Sequence, residues 1–415
     1  MRVSQELSEF LSQNLTELQN RFLLEKQLLS EPDALLSKRF LRRSILPHIL
    51  KLSDFFNRKS EAKPQGSGLS DSNYWKISSN PQNLRLAYFT YYMPMNLYRV
   101  AAVWSELLRL GFQPPFKNKL RGVEWGSGPA PALPGVMMAS HLAGLELGQI
   151  NWSLIEQDLS FLKLGKEWVD FFISAYDLGS ADMSTFQRSF KTDEHMFAKN
   201  SAEFNLWVFC YFLNELHTPP DELARFLYRS FDHHLEEGGV VIMVEPALKT
   251  ESRKLLELRK NLVELFEQNP RSGLKVLLPC LGHQACGALV SADDWCHEEV
   301  MWWRPPHIKT LDELSGLDHK SLPFSYLVIT KNKAPIEEIL PDLKGHSQNR
   351  YRLVSAARKT KPDYEFFICG QDGKKRARIH QSLIDQALER GDILSGVEST
   401  GNPESLRIQK LTKTE

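Results

Sequence analysis

The stretch Leu120-Arg121-Gly122-Val123-Glu124-Trp125-Gly126-Ser127-Gly128-Pro129-Ala130 reads as a short strand ending on an acid, then two glycines one residue apart. The segment that follows, Pro131 to Leu145, can be helical. A parallel α/β domain uses that arrangement to aim backbone N–H groups at a ligand. Gly126 and Gly128 permit a tight turn and close approach, whereas Ala130 stands where a third glycine is expected. Alone, the pair therefore defines a plain turn as readily as a binding loop.

The downstream chain supports the binding loop. Trp152-Ser153-Leu154-Ile155-Glu156 reads as a second strand closing on an acid. It lies roughly thirty residues past the turn, as a βαβ unit requires, and places Glu156 where a carboxylate can bond a ribose diol. The apolar runs Phe204 to Phe212, Gly238 to Pro246 and Phe324 to Thr330 suit buried strands. Strands alternating with helices imply an α/β fold with a doubly wound sheet.

Upstream, residues 1–115 read as a helical domain, with helices to about Leu29, from Pro32 to Phe56 and from Asn83 to Gly111. Ser60 to Asn73, rich in Lys, Gly, Ser and Pro, reads as a loop or linker. The amphipathic first segment, Met1 to Gln27, is a globular helix rather than a signal peptide, and its acids argue against a transit peptide. There is no apolar run long enough to span a bilayer. With 51 basic and 51 acidic residues, no global field points to nucleic acid. Five cysteines in 415 residues are too few for a disulfide scaffold, so a reducing cytoplasm is the expected compartment.

Beyond about Pro335 a β-rich appendage is expected, with strands at Tyr351 to Val354 and Tyr364 to Cys369 and a closing helix near His380 to Arg390. The run Lys374-Lys375-Arg376-Ala377-Arg378 is either a solvated face or a contact to a phosphate backbone.

The strongest chemical signal is Pro279-Cys280-Leu281-Gly282-His283-Gln284-Ala285-Cys286 followed by Trp295-Cys296-His297. Such clustering of thiols points to metal ligation, and thiolates select zinc or iron–sulfur clusters over hard cations. The spacing lacks a Cys-x2-Cys knuckle, which favours a cluster. Cys369 can complete the set if the appendage folds back, while Cys210 sits in a buried strand. His283 and His297 are the alternative ligands, which would favour zinc.

With these residues in view, the chain resembles the methyltransferase-like family of small-ribosomal-subunit assembly proteins, known from mitochondrial ribosomes and with bacterial relatives. The resemblance runs from about Leu84 to Cys369. It rests on Tyr92-Met93-Pro94, Glu124-x-Gly126-Ser127-Gly128-Pro129, Tyr211-x-Leu213-Asn214-Glu215-Leu216, Gly238-Gly239-Val240 to Glu245-Pro246, Asp294-Trp295-Cys296-His297 and Phe324-Ser325-Tyr326-Leu327-Val328.

It implies a class I S-adenosylmethionine-dependent methyltransferase-like Rossmann sheet over 116–334, carrying an inserted four-cysteine metal site within 279–306. The N-terminal helical domain precedes this sheet, and a β-rich C-terminal domain over 335–415 supplies the fourth ligand. It also implies that Cys280, Cys286, Cys296 and Cys369 hold a [4Fe-4S] cluster, and that Glu124, Gly126, Ser127, Gly128 and Glu156 hold S-adenosylmethionine. The implied partner is the rRNA of the small ribosomal subunit, with no membrane.

Two departures stand out. Pro129-Ala130-Pro131 stiffens the loop and directs a Cβ at the cofactor, and prolines at 129, 131 and 134 remove N–H donors near the helix start. Cys280-Leu281-Gly282-His283 replaces the family's Cys-Pro-His but keeps the ligand spacing. No residue is assigned as catalytic: Asn214 and Glu215 lie where substrate would approach, but they equally suit a helix start. The leading reading is an rRNA-binding assembly protein. An active rRNA methyltransferase and a zinc-stabilised RNA-binding module are the alternatives.

Overall fold

The computed structural model describes residues 5–61, 80–116, 119–192, 197, 203–281, 285–343, 350–402 and 405–413, the side chains of 57–61 and 402 aside. Most of the linker expected over Ser60 to Asn73 lies outside the described residues.

The first sheet contains β1 (Lys119–Trp125), β2 (Gln149–Glu156), β3 (Ala181–Gln187), β4 (Phe204–Cys210), β5 (Leu235–Pro246), β6 (Leu274–Leu278), β7 (Glu298–Met301) and β8 (Ser321–Lys331). Its order is β3-β2-β1-β4-β5-β8-β6, with β7 on β8. β1 to β5 run parallel, while β8 is antiparallel to β5, β6 and β7. The sheet is thus a mixed Rossmann-like one rather than wholly parallel.

Its central strands are covered on both faces, which explains their unbroken apolar runs. Leu206 and Val208 of β4 enter one core, beneath the helices Met93–Arg109, Ala132–Leu142 and Leu159–Ala175. Trp207 and Phe209, one residue out of phase, enter the other core, beneath Pro220–His234 and Lys249–Gln268. Two glycines are set by close approach. A Cβ on Gly122 would lie 1.9 Å from the Trp152 ring in the adjacent register position, and one on Gly135 would lie 2.7 Å from the Leu97 carbonyl oxygen. Gly135 thereby lets the helix after the glycine turn pack tightly on Met93–Arg109.

The N-terminal helix Gln5–Glu25 buries Leu7, Leu11, Leu15, Leu18 and Phe22 in the first of these cores. Pro81–Ala87, a π-helical turn over Tyr88–Tyr92 and Met93–Arg109 form one run into the sheet. Among the described residues, no helix is long and apolar enough to cross a membrane.

The second sheet contains β9 (Tyr351–Leu353), β10 (Arg358–Lys359), β11 (Asp363–Gly370), β12 (Gly373–His380), β13 (Ile393–Asn402) and β14 (Ser405–Lys413). Because β9 pairs with both β13 and β11, the order β11-β12-β14-β13-β9 closes into a ring. Phe366, Ile368, Ala377, Ile379, Leu394 and Ile408 fill it.

The helix expected near His380 to Arg390 does not form. Only a short 3-10 turn, Gln381–Leu383, lies there, and β13 and β14 follow it. Their polar outer positions and bulged register hide the alternation that marks a strand. The barrel is tied to the rest by a buried charge triad: Arg352 donates to Glu106 at 3.1 Å and to Glu298 at 3.0 Å.

Candidate functional site

The chain reverses its order of winding between β1 and β4, and a crevice opens past the carboxyl ends of such strands. Here it is a cleft of about 530 Å³, lined among others by Trp125, Gly126, Ser127, Gly128, Glu156, Phe190, Tyr211 and Phe212. Gly126 and Gly128 both adopt left-handed backbone, with φ of 62° and 49°. A Cβ on Gly126 would lie 2.1 Å from the Phe212 ring, whereas one on Gly128 would meet nothing within 4 Å.

The Ser127 N–H bonds the Ile155 carbonyl at 3.1 Å, locking the loop to β2. Its hydroxyl, buried, has no hydrogen-bond partner among the described residues. Glu156 accepts from the Gly128 N–H at 2.9 Å and from the Asp158 N–H at 2.8 Å. Asp158 caps the next helix through the Phe161 N–H and takes Arg85 in a bidentate pair, at 2.6 and 3.1 Å.

Three carboxylates organise this region, and burial raises the pKa of each. Glu124 accepts from the Ala132 N–H at 3.2 Å, and its other oxygen has no partner among the described residues. Burial pushes it up to about 8. Glu245, at the end of β5, accepts from the N–H groups of Phe212, Leu213 and Asn214 at 3.2, 2.8 and 3.0 Å. Burial outweighs those bonds and pushes it up to about 8 as well. Glu156 is raised by burial, opposed by its two backbone donors.

The five residues expected to hold a cofactor therefore meet at one place: Gly126, Ser127, Gly128 and Glu156 line the cleft, and Glu124 pins the helix start behind it. Ala130 behaves otherwise than expected. Its φ is 56°, and its Cβ packs towards Gly165, where an added Cβ would lie 3.1 Å away, instead of facing the cleft. Asn214 lends its N–H to Glu245, and Glu215 lines the cleft within a 3-10 turn. Sequence reading missed Phe190 and Arg188, which follow an edge strand too polar to stand out.

The cysteines converge elsewhere. Cys280, Cys286, Cys296 and Cys369 line a single cavity of about 70 Å³ walled by Leu255, Leu256, Leu281 and Leu327. Cys280 follows β6, Cys286 precedes a 3-10 turn, Cys296 precedes β7, and Cys369 arrives from β11 of the barrel. Arg259 donates its Nε–H to the Cys280 sulfur at 3.1 Å. Burial opposes its charge, yet Cys280, Cys286 and Cys369 favour it. Burial raises the thiols of Cys286 and Cys296 and pushes Cys369 up to about 12, with Cys280 the next cause in each case.

His297 lines the same cavity, whereas His283 lies outside the described residues. Cys210 is buried in β4, away from this cavity. Among the described residues, no three His, Cys, Asp or Glu side chains are gathered closely enough to hold a single metal ion. A mononuclear zinc needs every sulfur about 2.3 Å from one point. The donor set is four soft thiols around one largely apolar-walled cavity beside the Arg259 guanidinium.

The sequence matches the family described as mitochondrial small ribosomal subunit Rsm22 over residues 173–383. The chain belongs to this family. No match to a curated protein is found. Among solved structures, the chain is similar to the ribosomal protein L11 methylase from Lactobacillus delbrueckii subsp. bulgaricus. Identity is 14% and the TM-score 0.29, covering 56% of this chain and 78% of that one.

It is likewise similar to an O-methyltransferase family protein from Burkholderia thailandensis, at 11% identity and a TM-score of 0.33, covering 70% and 72%. A third is a putative RNA methyltransferase from Pyrococcus horikoshii, at 10% and 0.27, covering 68% and 98%. Likeness at this level says nothing about substrate.

Proposed function

We propose that this member of the Rsm22 family acts in small-ribosomal-subunit assembly by binding rRNA, with its methyltransferase-like sheet as scaffold and a [4Fe-4S] cluster as a clasp. The observation that carries the clasp is the meeting of Cys280, Cys286 and Cys296 with Cys369, delivered by a separate sheet, at one cavity. Ligands drawn from two sheets make the binding energy of the group part of the energy that docks the barrel. Free thiols at all five cysteines suit a reducing compartment such as the cytoplasm.

The cleft is proposed to take S-adenosylmethionine. Its support is the open approach over Gly128, the unpartnered Ser127 hydroxyl and the Glu156 carboxylate at the strand end. When bound, that group supplies a methyl on a sulfonium. The chain's part is to bind and orient: Glu156 accepts from ribose hydroxyls, and Phe190 and Phe212 offer apolar surface to the base. No side chain is given a proton-transfer role.

Anaerobic purification with iron and sulfide analysis tests the clasp. The expected result is about four iron and four sulfide per chain with broad absorption near ~400 nm. Cys369→Ser should lower both, and Cys210→Ser should leave both unchanged. Full iron content in the Cys369→Ser protein would remove the barrel from the ligand set.

A further inference from the structure

The ring β9-β11-β12-β14-β13 has a specific connectivity. Numbered within the barrel as strands one to five, it runs one-two-three-five-four and back to one, with strands three and five, β12 and β14, paired in parallel. That is the topology of the OB-fold, the Greek-key barrel whose second and third strands and adjoining loops bind oligonucleotides or oligosaccharides. Fold alone does not assign a ligand, so the surface must choose.

The register shows what that surface carries. Across the outer face, Arg358, Glu365, Arg378 and Arg407 occupy neighbouring positions on β10, β11, β12 and β14. In the next row Phe367 of β11 faces Arg376 of β12. The acids on this face are already matched: Glu365 by Arg376 at 2.6 Å, and Asp363 by Arg407 at 3.1 Å. Arg358 and Arg378 are exposed and have no side-chain partner among the described residues. Phe367 is 43% exposed, between Arg376 and the Lys374 ammonium, which lies 5.2 Å from its ring centre and pairs with Asp294 at 2.6 Å, and one row from Arg378 and Arg358. An exposed ring one row from two uncommitted arginines is a pattern that stacks a base while the cations track the backbone. A neutral saccharide gives the arginines nothing to pair with. A duplex hides the base faces that the ring would stack on.

We infer that the outer face of β11 and β12, with Arg358 beside it, is a binding site for single-stranded RNA, recognised by phosphate contacts from Arg358 and Arg378 and stacking on Phe367. The site deepens the proposed rRNA reading, and it is distinct from both the cleft and the cysteine cavity. The Cys369–Lys374 end of the β11–β12 hairpin abuts Gly287 of the cysteine segment, since a Cβ there would lie 2.5 Å from the Lys374 nitrogen. The opposite end carries Arg358 and Arg378, so bound RNA would project away from the junction.

The test is fluorescence anisotropy on the full chain with a labelled single-stranded oligouridine, using as competitors the same length of duplex RNA and a neutral oligosaccharide. Arg358→Glu with Arg378→Glu should weaken binding at least tenfold and reduce the slope of log affinity against log salt by about 1.4, at about 0.7 per single-strand phosphate contact. Phe367→Ala should cost at least ~5-fold with the salt slope unchanged. A control that reverses Lys166 and Lys260, both on helices packed on the first sheet, should bind as wild type.

Wild-type affinity in a folded Arg358→Glu/Arg378→Glu protein overturns the site, as does equal competition by duplex or by saccharide. Co-sedimentation with small-subunit particles separates this from the broader reading. Loss of oligouridine binding with co-sedimentation intact leaves the assembly role and confines the face to free RNA. Oligouridine binding without any co-sedimentation retains the face and discards the assembly role.

Discussion

Arg352→Ala probes how the two sheets are joined. Arg352 stands on β9, and its guanidinium spans Glu106 of Met93–Arg109 and Glu298 of β7, the three side chains being 3%, 0% and 5% exposed. Burial alone would raise Glu106, yet Arg352 and Arg109 hold its carboxyl below the usual range. Removing the arginine leaves buried carboxylates without their main counter-charge, a loss of about 3–5 kcal/mol. That shifts the folded-to-unfolded ratio by a factor on the order of 10² or more.

The sign with pH follows from the direction of the shift. A carboxyl lowered on folding adds stability above its unfolded pKa, ~4.3, and that stability is lost as pH falls through the folded value. Without Arg352, burial of Glu106 weighs more and that carboxyl takes up a proton more readily in the folded state, so the penalty of the substitution shrinks as pH falls. Urea denaturation followed by tryptophan fluorescence at about pH 8 and about pH 5 measures both terms, and hydrogen exchange at β7 and β9 locates them. Arg352→Met combined with Glu106→Gln and Glu298→Gln should recover most of the loss. A penalty under about 1 kcal/mol for the single substitution, or one that does not change with pH, would refute the triad as the junction.

Gly126→Ala should destabilise the protein by about 2 kcal/mol or more and abolish S-adenosylmethionine binding in calorimetry, because it combines a left-handed residue with a clash against Phe212. Gly128→Ala meets open space and should cost only about 1–2 kcal/mol. Indistinguishable stabilities for the two would contradict the loop geometry. For Glu124, raised to about 8, the stability it contributes is complete below the ordinary carboxylate pKa and disappears as pH climbs through about 8. Stability should therefore fall more steeply in wild type than in Glu124→Gln between about pH 5 and pH 9, and parallel curves in urea titrations would show that Glu124 is ionised in the fold throughout.

What could be read in advance was what repeats along the chain or declares itself by composition. The glycine turn and the apolar runs of β4 and β5 each carry a local signature, and each lies where that signature puts it; the clustered thiols line one cavity, but among the described residues no three of them gather as ligands of a single metal. β3 escaped notice because an edge strand with one exposed side reads as a polar loop, and β13 because its bulges break the two-residue alternation. Ala130 was misread for a different reason. Its side chain is directed by a positive φ and by the space that Gly165 leaves thirty-five residues on, and no local pattern records such a pair. The closed barrel was also hidden, since β12 pairs in parallel with β14 across an intervening strand, and pairing at that distance leaves no periodic trace.

The cleft's own carboxylates limit what it can hold. A dinucleotide site presents free N–H groups to a pyrophosphate at the first turn of the helix. Here Pro131 and Pro134 have none to give, the Ala132 N–H is engaged by Glu124, and that of Gly128 is engaged by Glu156. A phosphate would therefore meet few free donors at this turn. A nucleoside that brings hydroxyl donors meets the opposite circumstance, because the oxygens of Glu156 retain lone pairs for a diol. The same substitutions that deprive the loop of phosphate-binding groups therefore leave intact the features that a sulfonium nucleoside requires. That is why Gly126 and Glu156, rather than the helix start, carry the cofactor proposal.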